Sequence, residues 1–193
     1  MKKICVVVWM AAGLALCAQG GLQNFNGTMV DIEYWAGSGA NASVMVIDFG
    51  STSYAFGYEW AESATGLEML QDISTAGTLD CTTTDHGWGI TVDTISYGGN
   101  TMGEGGWPND WLSYWTASDG TDWAPGSTGA DTRTLADGDW DGWSRETQDI
   151  WPPANEPTVP VPEPGTAALA ALGAGILAMR RRREVKTCDT SSH

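Results

Sequence analysis

The chain has 193 residues, a net charge of −15 and a hydrophobic fraction of 42%. That length suits one ordinary domain, and the acidic balance argues against nucleic acid or an anionic membrane surface as a partner, because both are bound through lysine and arginine. The nine basic residues are also unevenly spread, with only Arg133 and Arg145 lying between residues 21 and 160.

At the start, Lys2 and Lys3 precede an apolar stretch over residues 4–16, and Ala18-Gln19-Gly20 offers a cleavage site of small residues. This is the pattern of a secretory signal peptide over residues 1–20, carried as an N-terminal signal helix. A lipoprotein signal would use Cys17, but Leu16 before it is too large for that site. Of the 24 acidic residues, Glu163, Glu184 and Asp189 fall beyond residue 160, so residues 21–160 carry 21 acids against two arginines, a net of −19 with no lysine. Cys5, Cys17 and Cys188 also lie outside this stretch, leaving Cys81 alone and no internal disulfide. Ten of the eleven tryptophans lie inside it, so aromatic burial is expected to supply the core.

Residues 21–152 read as one aromatic-rich extracellular domain. Val30, Ile32 and Tyr34 alternate with Asp31 and Glu33, as in a strand with one wet face. Residues 44–47 are apolar on both faces and predict a central strand. Tyr54, Phe56, Tyr58 and Trp60 then form a period-2 aromatic ladder. Thr65 and Glu68 make a capping box for the only clear helix, whose stripe is Leu67, Leu70 and Ile73 and whose end is Gly77. Residues 82–87 read as a polar turn holding His86. A strand over residues 88–97 needs a bulge near Asp93-Thr94 to reconcile Ile90 and Val92 with Ile95 and Tyr97. A Gly-rich loop, 98–108, leads to a strand at 111–115. The Ala136-Asp137-Gly138 turn then opens a last strand at 140–143.

Residues 153–161 are rich in proline and predict an extended spacer. Beyond them stand Pro162-Glu163-Pro164, an apolar run over 165–179, and Arg180-Arg181-Arg182-Arg183. As a helix the run spans about 22 Å, short of the roughly 30 Å hydrocarbon core. This order resembles the PEP-CTERM sorting signal of Gram-negative bacteria over residues 162–183. The resemblance implies recognition by exosortase, a membrane-embedded processing enzyme, with the secretion machinery as the other partner. It also implies transient membrane insertion through a short hydrophobic C-terminal helix. The arginines and a tail over 184–193 would then stay on the cytoplasmic side. The route passes through an inner-membrane intermediate to the cell surface or extracellular matrix. A single-span tail anchor is the alternative, and the extension after Arg183 is longer than the sorting pattern usually has.

The order of elements in the middle, with the Trp111-x-x-Tyr114-Trp115 segment and the Asp137-Gly138-Asp139 turn, resembles the C-terminal domain of transcobalamin. That resemblance implies an α+β, mostly-β, β-grasp-like fold with one helix packed on a mixed sheet, and a corrinoid as one ligand. The loop at 98–108 and the residues after Trp115 depart from the pattern, and the partner domain that completes a corrinoid site is absent.

Two groups of residues invite a ligand. Trp107, Trp111, Tyr114, Trp115 and Trp123 cluster closely enough for a platform under a glycan or another neutral small molecule, although in a lysine-free domain such residues more often belong to the core. Trp111 and Trp115 must face away from Leu112 and Tyr114 in a strand. Asp137, Asp139 and Asp141 match the start of a calcium loop, but its twelfth position holds Gln148 where a bidentate Glu is wanted. His86 is the single histidine of the domain, and the Asp85 beside it is badly placed for a triad. No catalytic residue is expected. The sequence points to an exported, exosortase-processed protein with a non-catalytic ligand-binding domain. The alternative is a structural matrix protein whose acidic surface binds calcium.

Overall fold

The computed structural model describes residues 19–161, and its first feature is a hairpin. Strand β1 (Gln19–Phe25) turns at Asn26 and Gly27, with φ of 49° and 92°, into β2 (Thr28–Gly37). Two successive left-handed residues match the twist of the strands they join, which is why Asn-Gly suits this turn. The expected signal peptide, apart from its last two residues, and the expected hydrophobic helix over 165–179 lie outside the described residues. No described helix is long and apolar enough to cross a membrane.

The order continues with β3 (Asn41–Asp48), β4 (Ser53–Trp60), α1 (Gly66–Ala76), β5 (Asp80–Asp85), β6 (Ile90–Tyr97), β7 (Asn100–Met102), β8 (Trp111–Ala117), β9 (Ala124–Pro125) and β10 (Trp140–Glu146). Seven strands form one mixed sheet in the order β1-β2-β4-β3-β10-β8-β9, in which β2 runs parallel to β4 and β3 parallel to β10. A second, antiparallel sheet holds β5-β6-β7. The mostly-β fold with one helix on a mixed sheet is therefore as expected.

The large sheet is apolar on both faces. Met45, Ile47, Phe56, Tyr58 and Trp60 point to the core shared with α1 and the small sheet. Val44, Val46, Ala55 and Trp140 point to a second core on the opposite face. The aromatic ladder of β4 thus lies wholly on the helix side, where Tyr34 and Tyr97 meet Phe56 edge-on at 5.1 and 4.9 Å. Helix α1 buries Leu67, Met69, Leu70 and Ile73 there, and both halves of its capping box are formed. Its first backbone donors are also satisfied from outside, Gly66 N bonding Arg133 O and Leu67 N bonding Ala130 O.

Four local readings change. Between Ile32 and Trp35 the pairing of β2 with β4 slips by one residue. Val30 and Ile32 therefore enter the second core while Tyr34 reaches the first, so they do not share one face. Residues 82–85 belong to β5 and are not a turn; three threonines pair there with β6. The β6 strand starts at Ile90, leaving Trp88 81% exposed in the turn before it, and its bulge falls at Asp93 between the Thr82–Thr94 and Thr83–Val92 pairs.

The fourth change concerns residues 153–161. They are not a free spacer: they lie across the second face of the large sheet as a strap. Pro153 and Pro157 are buried, and Val159 packs on the second core. A side chain at Gly142 would run into Pro157 and Trp123, so glycine there lets the strap approach the sheet.

Candidate functional site

The strap is held by carboxylates that the strands present to it. Glu146, 1% exposed at the end of β10, accepts from Ala154 N at 3.0 Å and Asn155 N at 2.8 Å through Oε1, and from Asn155 Nδ2 at 2.9 Å through Oε2. Asp48 at the end of β3 accepts from Thr158 N at 2.9 Å. Further along, Asp31 N donates to Pro160 O at 2.9 Å. Ser144 Oγ donates to Asn155 O and shares a bond of 2.8 Å with Ser113 Oγ. The indole N–H of Trp115 donates to both serines at 2.9 Å. Buried polar groups cost free energy unless bonded, and here the strap and two serines satisfy one another.

This arrangement separates the five candidate aromatic residues. Trp115 is 3% exposed, and Trp123 packs against the second core. Tyr114 faces the other side of the sheet, its ring 4.8 Å from that of Trp143 and its hydroxyl donating to Asp141. Only Trp107 and Trp111 meet at the surface. Their ring centroids are 4.8 Å apart at 49°, with Trp107 55% exposed and the Trp111 N–H bonded to Gln148 O at 3.0 Å. The loop that carries Trp107 is pinned by Asp110, which accepts from Gly103 N, Gly105 N and, at 2.9 Å, Arg145 Nε.

The same end of the sheet holds a cleft of about 590 Å³. Pairing of Trp111 with Glu146 and of Ser144 with Asp48 brings the starts and ends of β8, β10 and β3 together there. The cleft lies between the turn at Asp48 and Gly50, the exit of β10 at Arg145 and Thr147, and the strap at Asn155 and Glu156. Arg145 is one of only two cations between residues 21 and 160.

The three aspartates expected to hold calcium have other partners. Asp137 Oδ1 accepts from Ala42 N at 2.9 Å. Asp139 Oδ2 accepts from Ala136 N and from Arg133 Nη2 at 2.9 Å, and Asp141 Oδ1 accepts from Arg133 Nε at 2.7 Å. Asp139, just before β10, and Asp141, within it, share the Arg133 guanidinium, while Asp137 in the preceding turn accepts from Ala42 instead. Burial raises the Asp141 carboxyl above its ordinary value, with the Arg133 charge and the Tyr114 hydroxyl pulling the other way. Burial also raises the Tyr114 hydroxyl, reinforced by the Asp141 charge. Among the described residues, no group of three or more His, Cys, Asp or Glu side chains is placed to hold a metal ion. His86 stands in the β5–β6 turn, its ring stacked on Trp88 at 5.1 Å and its Nε2 3.0 Å from Thr91 Oγ1.

Beyond the strap the sequence takes over. A family model for the PEP-CTERM protein-sorting motif matches residues 160–183.

The chain carries a PEP-CTERM motif.

The motif marks an exported protein that exosortase processes. Its residues Pro162, Glu163, Pro164 and Arg180-Arg181-Arg182-Arg183 lie outside the described residues. Its first residue does not, because Pro160 is the strap residue bonded to Asp31. The PEP-CTERM motif therefore starts on the folded domain itself. No curated protein and no solved structure matches the chain, so the likeness of the middle region to a transcobalamin C-terminal domain gains no support from them.

Proposed function

We propose that this PEP-CTERM protein presents a non-catalytic binding module outside the cell, and that its ligand is a neutral glycan held at the Trp107/Trp111 end of the sheet. The observation that carries this reading is the surface pair of tilted indoles, at the end of the sheet that also holds a cleft lined by other residues. Indole faces stack on the apolar faces of sugar rings, and a cleft with carboxylate, amide, hydroxyl and guanidinium groups supplies both donors and acceptors for sugar hydroxyls. The net of −19 over residues 21–160 disfavours anionic polymers and leaves uncharged ones. A pinned loop, through Asp110 and Arg145, keeps the pair ordered before a ligand arrives, which lowers the entropy cost of binding.

The test is a tryptophan-fluorescence titration of the purified mature protein with a panel of neutral oligosaccharides and a corrinoid. The expected result is saturable quenching by a glycan that Trp107→Ala reduces at least tenfold in affinity, with an unchanged melting temperature. A flat response to every neutral glycan overturns the reading, and quenching by the corrinoid alone moves the ligand to another class.

A further inference from the structure

The strap that ends in the sorting motif is also a wall of the fold. We propose that strap docking restrains processing, and that exosortase acts on this chain only after residues 158–161 peel away from the sheet. This inference rests on the sorting motif and is independent of the glycan reading.

The geometry gives the reason. Pro160 O is bonded to Asp31 N and Thr158 N to Asp48 Oδ2, so the chain is fixed to the domain up to the second residue before Pro162. Two extended residues reach only about 7 Å. A domain of this size has a radius of gyration of about 14 Å. With the strap docked, its body stands against whatever approaches Pro162, Glu163 and Pro164. The processing enzyme must reach this segment, so the bulk of the domain and the enzyme compete for the same space. Freeing residues 158–161 lengthens the tether to about 17 Å.

Peeling from this end is a small opening. It breaks the bonds at Thr158 and Pro160 and uncovers Val159, but leaves the Glu146 anchor at Ala154 and Asn155 in place. Local openings of this kind precede global unfolding in native proteins. Processing would then follow the opening equilibrium of the strap. Thr158, in the peeling segment, also lines the cleft, so a ligand that binds only the docked form lowers the population open to processing.

The experiment uses the full chain in cells that contain the processing enzyme, with conversion followed by pulse-chase and immunoblot. Thr158→Pro removes the N–H that Asp48 accepts while leaving every side chain of the sheet untouched, and residue 158 is exposed. A second variant, Val159→Ala, weakens the packing of the strap on the second core and leaves the motif from Pro160 onward intact. The expected result is a several-fold faster conversion for both. An unchanged rate in Thr158→Pro and Val159→Ala overturns the proposal.

Discussion

Glu146 grips Asn155 with both of its carboxylate oxygens, one on the backbone N–H at 2.8 Å and one on the side-chain amide at 2.9 Å. The carboxylate is buried under the strap it holds, so its loss takes the acceptor from three donors of the strap. Glu146→Ala is expected to lower stability by about 2 kcal/mol, in line with the loss of a charged acceptor from part-buried donors. Asn155→Ala, which removes only the amide, is expected to cost about 1 kcal/mol. Denaturant midpoints at constant slope measure both.

The acidic turn gives a second expectation, concerning Arg133. Its guanidinium neutralises the buried Asp141 and the more exposed Asp139. Arg133→Ala leaves the buried Asp141 without its counter-charge, with only the Tyr114 hydroxyl as side-chain donor, and is expected to cost about 3–5 kcal/mol. Asp139→Ala removes a partner from the rim of the same network, with an expected loss of about 1 kcal/mol. Because both oxygen-bearing side chains are committed to Arg133, calcium is expected to leave the melting temperature of wild type and Asp139→Ala equally unchanged. A calcium-dependent rise in wild type, lost in Asp139→Ala, contradicts this assignment.

Much of this scaffold is legible in the residues. The ladder from Tyr54 to Trp60, the Thr65/Glu68 box and the bulge at Asp93 each carry a local signature, a period, a cap or a phase change, and each forms where expected. The Asn26-Gly27 turn was equally readable, but residues 19–25 contain two glycines and few β-formers, which hides β1. The threonines of β5 have strand propensity, yet flanking aspartates and glycines make them resemble a turn. The strap leaves no periodic trace. Its docking depends on Glu146, Asp48 and Asp31, whose meeting with residues 154–160 is a product of tertiary packing. The same gap affects the candidate site. Strand alternation places Trp111 and Trp115 on one face of β8, but only the path of the strap decides that Trp115 is covered and Trp111 is not.

Gly57 tests how tightly the second core is built. It pairs with Trp35 across β2 and β4, and a Cβ at this position would enter the Trp35 ring. The indole covers the place where a side chain would stand, so the glycine is required by close approach and not by backbone conformation. Gly57→Val is expected to destabilise by about 2 kcal/mol through overpacking. Its near-ultraviolet circular dichroism should lose the Trp35 contribution while the far-ultraviolet spectrum is retained.

The tyrosines predict the response to alkali. Burial, followed by the neighbouring carboxylates, raises the hydroxyls of Tyr58, Tyr97 and Tyr114 above their ordinary value of 10.0. Above that value the unfolded chain releases these protons while the folded chain keeps them. The native state then binds more protons than the unfolded one, and stability falls as pH rises. The contribution is complete below pH 10 and is lost progressively above it. Tyr114 is the most strongly affected of the three and donates to Asp141, which is itself buried. Tyr114→Phe removes one titrating group and is expected to flatten the decline above pH 10. At neutral pH it leaves an Asp141 oxygen with one donor fewer, at a cost of about 1–2 kcal/mol. Melting temperatures from pH 8 to 11 for both proteins separate the effects: the curves should start apart and converge. Parallel curves across that range would show that Tyr114 does not contribute to the alkaline slope.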